Sequence, residues 1–335
     1  MSLPALIAIL LGLSLTAYAL FAGADFGAGI LDLLSGSRDS ERGAIGATIG
    51  PVWEANHVWL IFSITILFSA FPAAFSALGT ALLAPLTIAL LAIVLRSVAL
   101  GLRASPGTTA RAGAILSRLF GAASLIAPFV FGAVAGGLAA VSNSPQLGSA
   151  PVPSVPWTGA FALASGALAP ALCAQLAASF VALGMVRSGE EGPLAERFRA
   201  RGLQSGTCVL LLSLAALAIA AADAPVVWHR LIGPALPLVI VGLCAGALSL
   251  LATWRRRYLL GRGAGLVSGA AVLWGWFAVQ APDLIGPRLT IHSAAATDAA
   301  LGAIALAAGV VLLLVLPAMY LLFAVFARPE LEVTE

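Results

Sequence analysis

A carboxylate and an imidazole stand three residues apart in the apolar run Gly50-Pro51-Val52-Trp53-Glu54-Ala55-Asn56-His57-Val58-Trp59-Leu60. On a helix, residues three apart meet, so Glu54 and His57 can touch; Trp53 and His57 are four apart. Each of the two groups can gain and lose a proton near neutral pH when burial and a neighbour tune it. Glu54 lies 12 residues after Arg42, roughly 18 Å along a helix, which places it deep in the run. The chemistry on offer is proton transfer. The alternative is a permanently hydrogen-bonded pair that fixes helix packing. Pro51 is expected to kink this helix. An earlier run, Gly23-Ala24-Asp25-Phe26-Gly27-Ala28-Gly29-Ile30-Leu31-Asp32, carries two acids seven apart on one helical face, with Gly23 and Gly27 spaced for close helix approach. Asp25 is the deeper acid, a proton carrier or a hydrogen-bonded structural group. Asp32 falls near the run's end, where simple solvation is the bland expectation. Arg96 lies in a third run, seven residues before Arg103, and can neutralise a carboxylate, snorkel to an interface or meet a lipid headgroup. A structural ion pair is the favoured role. Asp298, after Thr297, reads as a first-turn acid favoured by the helix dipole.

The elements that hold these groups are membrane spans. Of the 335 residues, 61% are hydrophobic and 9% charged, against roughly 25% charged in soluble domains. Nine segments have the roughly 20 apolar residues that a span needs: 3–34, 44–71, 75–102, 113–141, 157–187, 203–222, 231–254, 262–280 and 299–327. Together they make one polytopic membrane domain over 1–335. All 17 basic residues are arginine. Fifteen of them, counting Arg96 with its helix end, fall on the connections after odd-numbered spans or after the last; only Arg230 and Arg288 fall on the others. By the positive-inside rule the C-terminus is cytoplasmic and the N-terminus outside. The 142–156 connection is rich in Pro and Ser and reads as a linker.

Several functions are set aside. The arginines form no basic run interleaved with aromatics, so no nucleic-acid surface is expected. There is no HExxH, P-loop, GxSxG or GxGxxG in a βαβ setting, hence no basis for hydrolysis or nucleotide binding. Cys173, Cys208 and Cys244 sit in apolar runs and are expected to be small core residues. His57 is the one histidine expected within the membrane, with His229 and His292 in outward loops, so no bis-histidine haem site and no metal site are expected from this chain. A stand-alone transporter using Glu54 lacks an internal repeat and a polar substrate cluster.

The Gly23-to-Gly29 run, Glu41-Arg42, and above all Gly50-Pro51-Val52-Trp53-Glu54-Ala55-Asn56-His57-Val58-Trp59-Leu60-Ile61 resemble subunit II of the cytochrome bd quinol oxidases. Arg96 and the Pro282-to-Thr290 stretch extend the similarity. The middle helices match by pattern alone. The resemblance implies an all-α membrane fold of about nine transmembrane helices, expected as two four-helix bundles plus one additional helix. It implies a bacterial plasma-membrane complex that oxidises quinol and reduces dioxygen to water. Haem b and haem d are expected in the partner, subunit I, and none on this chain's own ligands. Small single-helix subunits, lipid and quinone are further expected partners. Within the family, acids at the positions of Asp25 and Glu54 belong to a proposed proton route, which His57 would join; Trp59 corresponds to a position beside a proposed oxygen channel. The opposing expectation is a purely structural assembly subunit. Two departures stand out: the run from Arg96 to Arg103 lacks the acid that many members carry there, and Glu54 replaces a frequent Asp.

Overall fold

The computed structural model describes residues 2–35, 39–105, 107–141, 155–190, 192–286 and 289–326; side chains of 39, 47–55 and 322–326 are outside that description. The chain folds into helices α1 (Leu3–Ser35), α2 (Asp39–Ala70), α3 (Pro72–Ala81), α4 (Leu83–Arg103), α5 (Ala110–Val141), α6 (Ala160–Arg187), α7 (Pro193–Asp223), α8 (Pro225–Ile232), α9 (Leu236–Trp254), α10 (Tyr258–Gln280) and α11 (Asp298–Phe326). A short antiparallel hairpin, β1 (Asp283–Ile285) with β2 (Leu289–Thr290), precedes α11. Among the described residues, eight helices are long and apolar enough to cross a membrane, or nine if α2's Asn56–Ala70 part and α3, bent by 114°, count as one span. This is an all-α membrane protein.

Two boundaries differ from the sequence expectation. The segment 75–102 is two helices separated at Leu82, and α3 turns 114° away from α2. Pro85 explains the break: it has no N–H to give Ala81, and its ring clashes with the carbonyl four residues back. The segment 231–254 divides likewise into the end of α8 and the whole of α9. Pro51 lies within α2, which runs as one helix through that position. The 142–156 linker falls almost wholly outside the described residues.

The helices pack as two groups of four, with α11 beside α1 and α2. The first holds α1, α2, α4 and α5; the second holds α6, α7, α9 and α10; α1 and α5 both pack on α6 to form the seam. In lipid, association rests on van der Waals packing between small residues rather than on apolar burial. The seam follows that rule. Ala24, Ala28, Ala177, Ala178 and Ala182 form its core with Leu31 and Val181. At Gly27 an added Cβ would lie 1.9 Å from the Cys173 carbonyl oxygen, so only glycine lets α1 touch α6 here. Of the cysteines, Cys173 is buried, but Cys208 and Cys244 are exposed on the chain's outer flank. An apolar thiol is as compatible with lipid as with a core, which is why composition misplaced those two.

Candidate functional site

Asp25 and Arg96 form the centre of the site. Arg96 lies on α4 and reaches Asp25 of α1 with both terminal nitrogens, Nη1 donating to Oδ2 at 2.6 Å and Nη2 to Oδ1 at 2.8 Å. Nη2 also donates to the Asp25 carbonyl at 3.2 Å, and Nε donates to Ser124 Oγ of α5 at 3.1 Å. The guanidinium lies between the rings of Phe26 and Phe120, 4.8 and 5.1 Å from their centroids. Asn56 of α2 donates to Asp25 Oδ2 at 3.1 Å. Asp25 and Arg96 are each 4% exposed. A charge this deep is tolerated only when paired and fully hydrogen-bonded, and the bidentate fork meets that condition.

The arrangement repeats one heptad along the helices. Arg103 donates to Asp32 Oδ2 at 2.8 Å and to Ser117 Oγ at 3.1 Å, and its guanidinium lies 5.4 Å from the Phe120 centroid. Asp32 also faces Arg42 Nε of α2 at 3.1 Å. Asp25 and Asp32 are seven apart, as are Arg96 and Arg103, and Ser117 and Ser124. The two rungs share Phe120 as spacer. Asp32 is thus buried and doubly paired, not solvated as its position suggested. The reason is that α2 and α4 both bring arginines back over the end of α1. Gly29 supports the ladder, because a Cβ there would stand 2.1 Å from Ser124 Oγ.

The α2 signature divides over two faces. Asn56 points inward to Asp25, whereas His57 lies on the exposed flank with Val58 and Ile61. The side chains of Trp53 and Glu54 lie outside the described residues. Trp59 is buried; its carbonyl accepts from Ser14 Oγ at 3.0 Å and Ser63 Oγ at 2.8 Å, and its ring meets Phe62 edge-on at 6.5 Å. Its indole N–H has no acceptor among the described residues. Asp298 occupies the first turn of α11, and Thr297 Oγ1 accepts from Ala300 N at 3.4 Å.

Sequence reasoning missed a second ionic centre. Glu41, wholly buried at the start of α2, is gripped by α7: Arg201 Nη2 lies 2.6 Å from Oε2 and Arg197 Nη1 lies 3.1 Å from Oε1. Arg201 also donates to Ser35 Oγ at 2.9 Å. The Glu41-Arg42 dipeptide was the available signal. Also missed was Gln175, buried in the second bundle, whose Nε2 donates to Ser249 Oγ at 3.2 Å. On the opposite side of the molecule, Arg230 of α8 donates to the Val279 carbonyl at 2.6 Å and faces Asp283 at 3.6 Å. Burial pushes the Asp283 carboxyl up, and Arg230 offsets part of that shift.

Among the described residues, no three His, Cys, Asp or Glu side chains gather as a metal-ligand set. His57 stands on α2, His229 on α8 and His292 in the turn after β2.

The subunit 2 of the cytochrome bd ubiquinol oxidase from Bacillus subtilis (strain 168) is 38% identical over 81 residues, 24% of each chain. That of the cytochrome bd-I ubiquinol oxidase from Escherichia coli (strain K12) is 38% identical over 69 residues, 21% of this chain and 18% of that one. The aligned stretches thus span about a quarter or less of these relatives' length. The bd oxidase structure from Geobacillus thermodenitrificans superposes over 98% of this chain and 99% of that one, with a TM-score of 0.78 at 20% identity, a likeness of fold. The family model for the cytochrome bd terminal oxidase subunit II matches residues 3–326, and the chain belongs to that family.

Proposed function

We propose that this chain is the subunit II of a quinol oxidase of the bacterial plasma membrane. It stabilises a haem-bearing subunit I, binds no haem itself, and contributes a proton path toward that partner's oxygen chemistry through Asp25, Glu54 and His57. Haem b, haem d and the quinol belong to the assembled complex. The observation that carries the reading is the Asn56–Asp25–Arg96 contact. It uses the signature's own Asn to lock α2 against α1, which fixes the register of Glu54 and His57 on their helix. The exposed flank carrying His57 is a polar break in an apolar face, suited to a neighbouring subunit rather than to lipid. The path opens on the arginine-rich side, with the C-terminus cytoplasmic and the N-terminus outside. Arg96 belongs to the buried pair and not to a loop, so fourteen arginines rather than fifteen face two, and the sign of the bias is unchanged. Trp59 is assigned to the lining of an oxygen channel.

A second reading, a purely structural assembly subunit, draws on the same pair. Protonating Asp25 would break a bidentate bridge and leave Arg96 uncompensated in a low-dielectric interior. The two readings separate in the purified complex. Under the proton-path reading, Glu54→Gln lowers quinol-driven oxygen uptake by about 10²–10⁴-fold, the worth of a positioned proton carrier, while the haem spectrum stays normal. Unchanged uptake at normal haem content rules that role out. Loss of haem from Asp25→Asn or Glu54→Gln assigns the residue to assembly.

A further inference from the structure

We infer that a lateral groove between α9 and α10 binds one anionic glycerophospholipid. The groove holds about 510 Å³ and is apolar, lined by Ala245 and Leu248 of α9 and by Leu259, Gly263 and Val267 of α10. Leu248, Leu259 and Val267 are exposed in the folded chain. A long hydrocarbon is the matching shape for a groove of this kind in a bilayer.

The turn at its mouth supplies the charge. Arg255, Arg256 and Arg257 are consecutive and exposed between the two helices. Arg255 is seven residues past Leu248, so it stands two turns above it on the same face of α9. The helix ends in a tight closure, with Arg256 N donating to Thr253 O at 3.1 Å and Arg257 N to Ala252 O at 2.8 Å, and with Arg256 in the left-handed region at φ 59°. That closure turns the chain sharply between α9 and α10, the two helices that line the groove. The three differ in what they face. Arg256 is taken by Glu196 at 3.3 Å. Arg255 and Arg257 have no ion-pair partner among the described residues, and the nearby Glu196 is already engaged by Arg199 and Arg256. Trp254, 63% exposed at the last residue of α9, marks the headgroup level. Apolar groove, headgroup-level tryptophan and two uncompensated arginines together select a lipid whose phosphate carries net negative charge, its phosphate at Arg255 and Arg257 and an acyl chain along Leu248, Leu259 and Val267.

The inference rests on the chain's place in a bilayer and not on the oxidase reading. The test is native mass spectrometry of the purified complex, titrated with dioleoyl phosphatidylglycerol or dioleoyl phosphatidylcholine at equal concentration. One phosphatidylglycerol should be retained in preference to phosphatidylcholine. Arg255→Gln with Arg257→Gln should weaken that retention by about 25-fold, about fivefold for each arginine. Gly263→Leu should abolish it by occupying the groove while the arginines stay; a Cβ at Gly263 has nothing within 4 Å, so the added side chain starts into open space. Equal retention of the two lipids by the unaltered complex overturns the inference. So does retention that survives in both variants, or efficient cross-linking of Leu259→Cys to a protein subunit. A haem difference spectrum and oxygen uptake on the same samples report on the oxidase reading independently of the lipid result.

Discussion

Asp25 and Arg96 are opposite charges whose burial is affordable only together. Removing one leaves the other uncompensated, at a cost of about 3–5 kcal/mol, whereas removing both costs far less. Arg96→Gln should therefore lower the melting temperature of the purified complex and release haem on mild heating. Asp25→Asn with Arg96→Gln should recover part of the loss, because the two sites couple directly. Arg103→Gln should cost less than Arg96→Gln, since the Arg103 side chain is 26% exposed and that of Arg96 only 4%. Equal melting temperatures for Arg96→Gln and the unaltered complex would refute the pair's structural weight. The pairing itself was half legible. Matching seven-residue spacings in Asp25 and Asp32, Arg96 and Arg103, and Ser117 and Ser124 were all present in the sequence. What the spacing lacked was the relative height of α1, α4 and α5, which decides whose arm meets whose carboxylate.

At the scale of elements, the approach of α1 to α6 depends on one missing methyl group. Gly27→Ala places a Cβ inside contact distance of the Cys173 carbonyl, and a backbone atom cannot step aside as a side chain can. The helices must part, which costs more than the about 1–3 kcal/mol of ordinary overpacking. The expected outcome is a low yield of haem-bearing complex on purification. Gly302→Ala on α11 is the control: nothing lies within 4 Å of its new Cβ, and the complex should keep its yield and melting temperature. Normal yield from Gly27→Ala would show that the seam has slack. The spans were readable because a run of some 20 apolar residues has few other places to go. The break at Leu82 was readable too, from Pro85, but hydropathy averages over it. The exposure of Cys208 and Cys244 was not readable, since a lipid-facing and a core-facing helix side have the same composition.

The whole molecule is two helical bundles joined along one apolar seam and closed at one end by charge. Glu41 is the closing residue. It belongs to α2 in the first bundle, yet two guanidiniums of α7 in the second reach it, and Arg201 continues to Ser35 at the end of α1. Three helices from two bundles therefore converge on one buried carboxylate. Its opponents differ: the Arg197 side chain is 54% exposed and can turn to water, while that of Arg201 is 13% exposed and cannot do so freely. Glu41→Gln should accordingly cost less than stranding a fully buried charge, but it should loosen the junction locally. Hydrogen exchange on the intact complex should speed up in 39–46 and in 193–201, because those backbones lose their shared anchor. Exchange in α9 and α10 should not change, since the second bundle keeps its Gln175–Ser249 contact and its own packing. The acceleration should also persist across ionic strengths, because the Arg201–Glu41 contact, largely closed to solvent, is screened far less than a surface pair. Unchanged exchange at the α2 and α7 starts would mean that the seam alone holds the bundles together. Acceleration spread evenly over all helices would mean that the bundles are one cooperative unit with Glu41 as a general stabiliser rather than a local clasp.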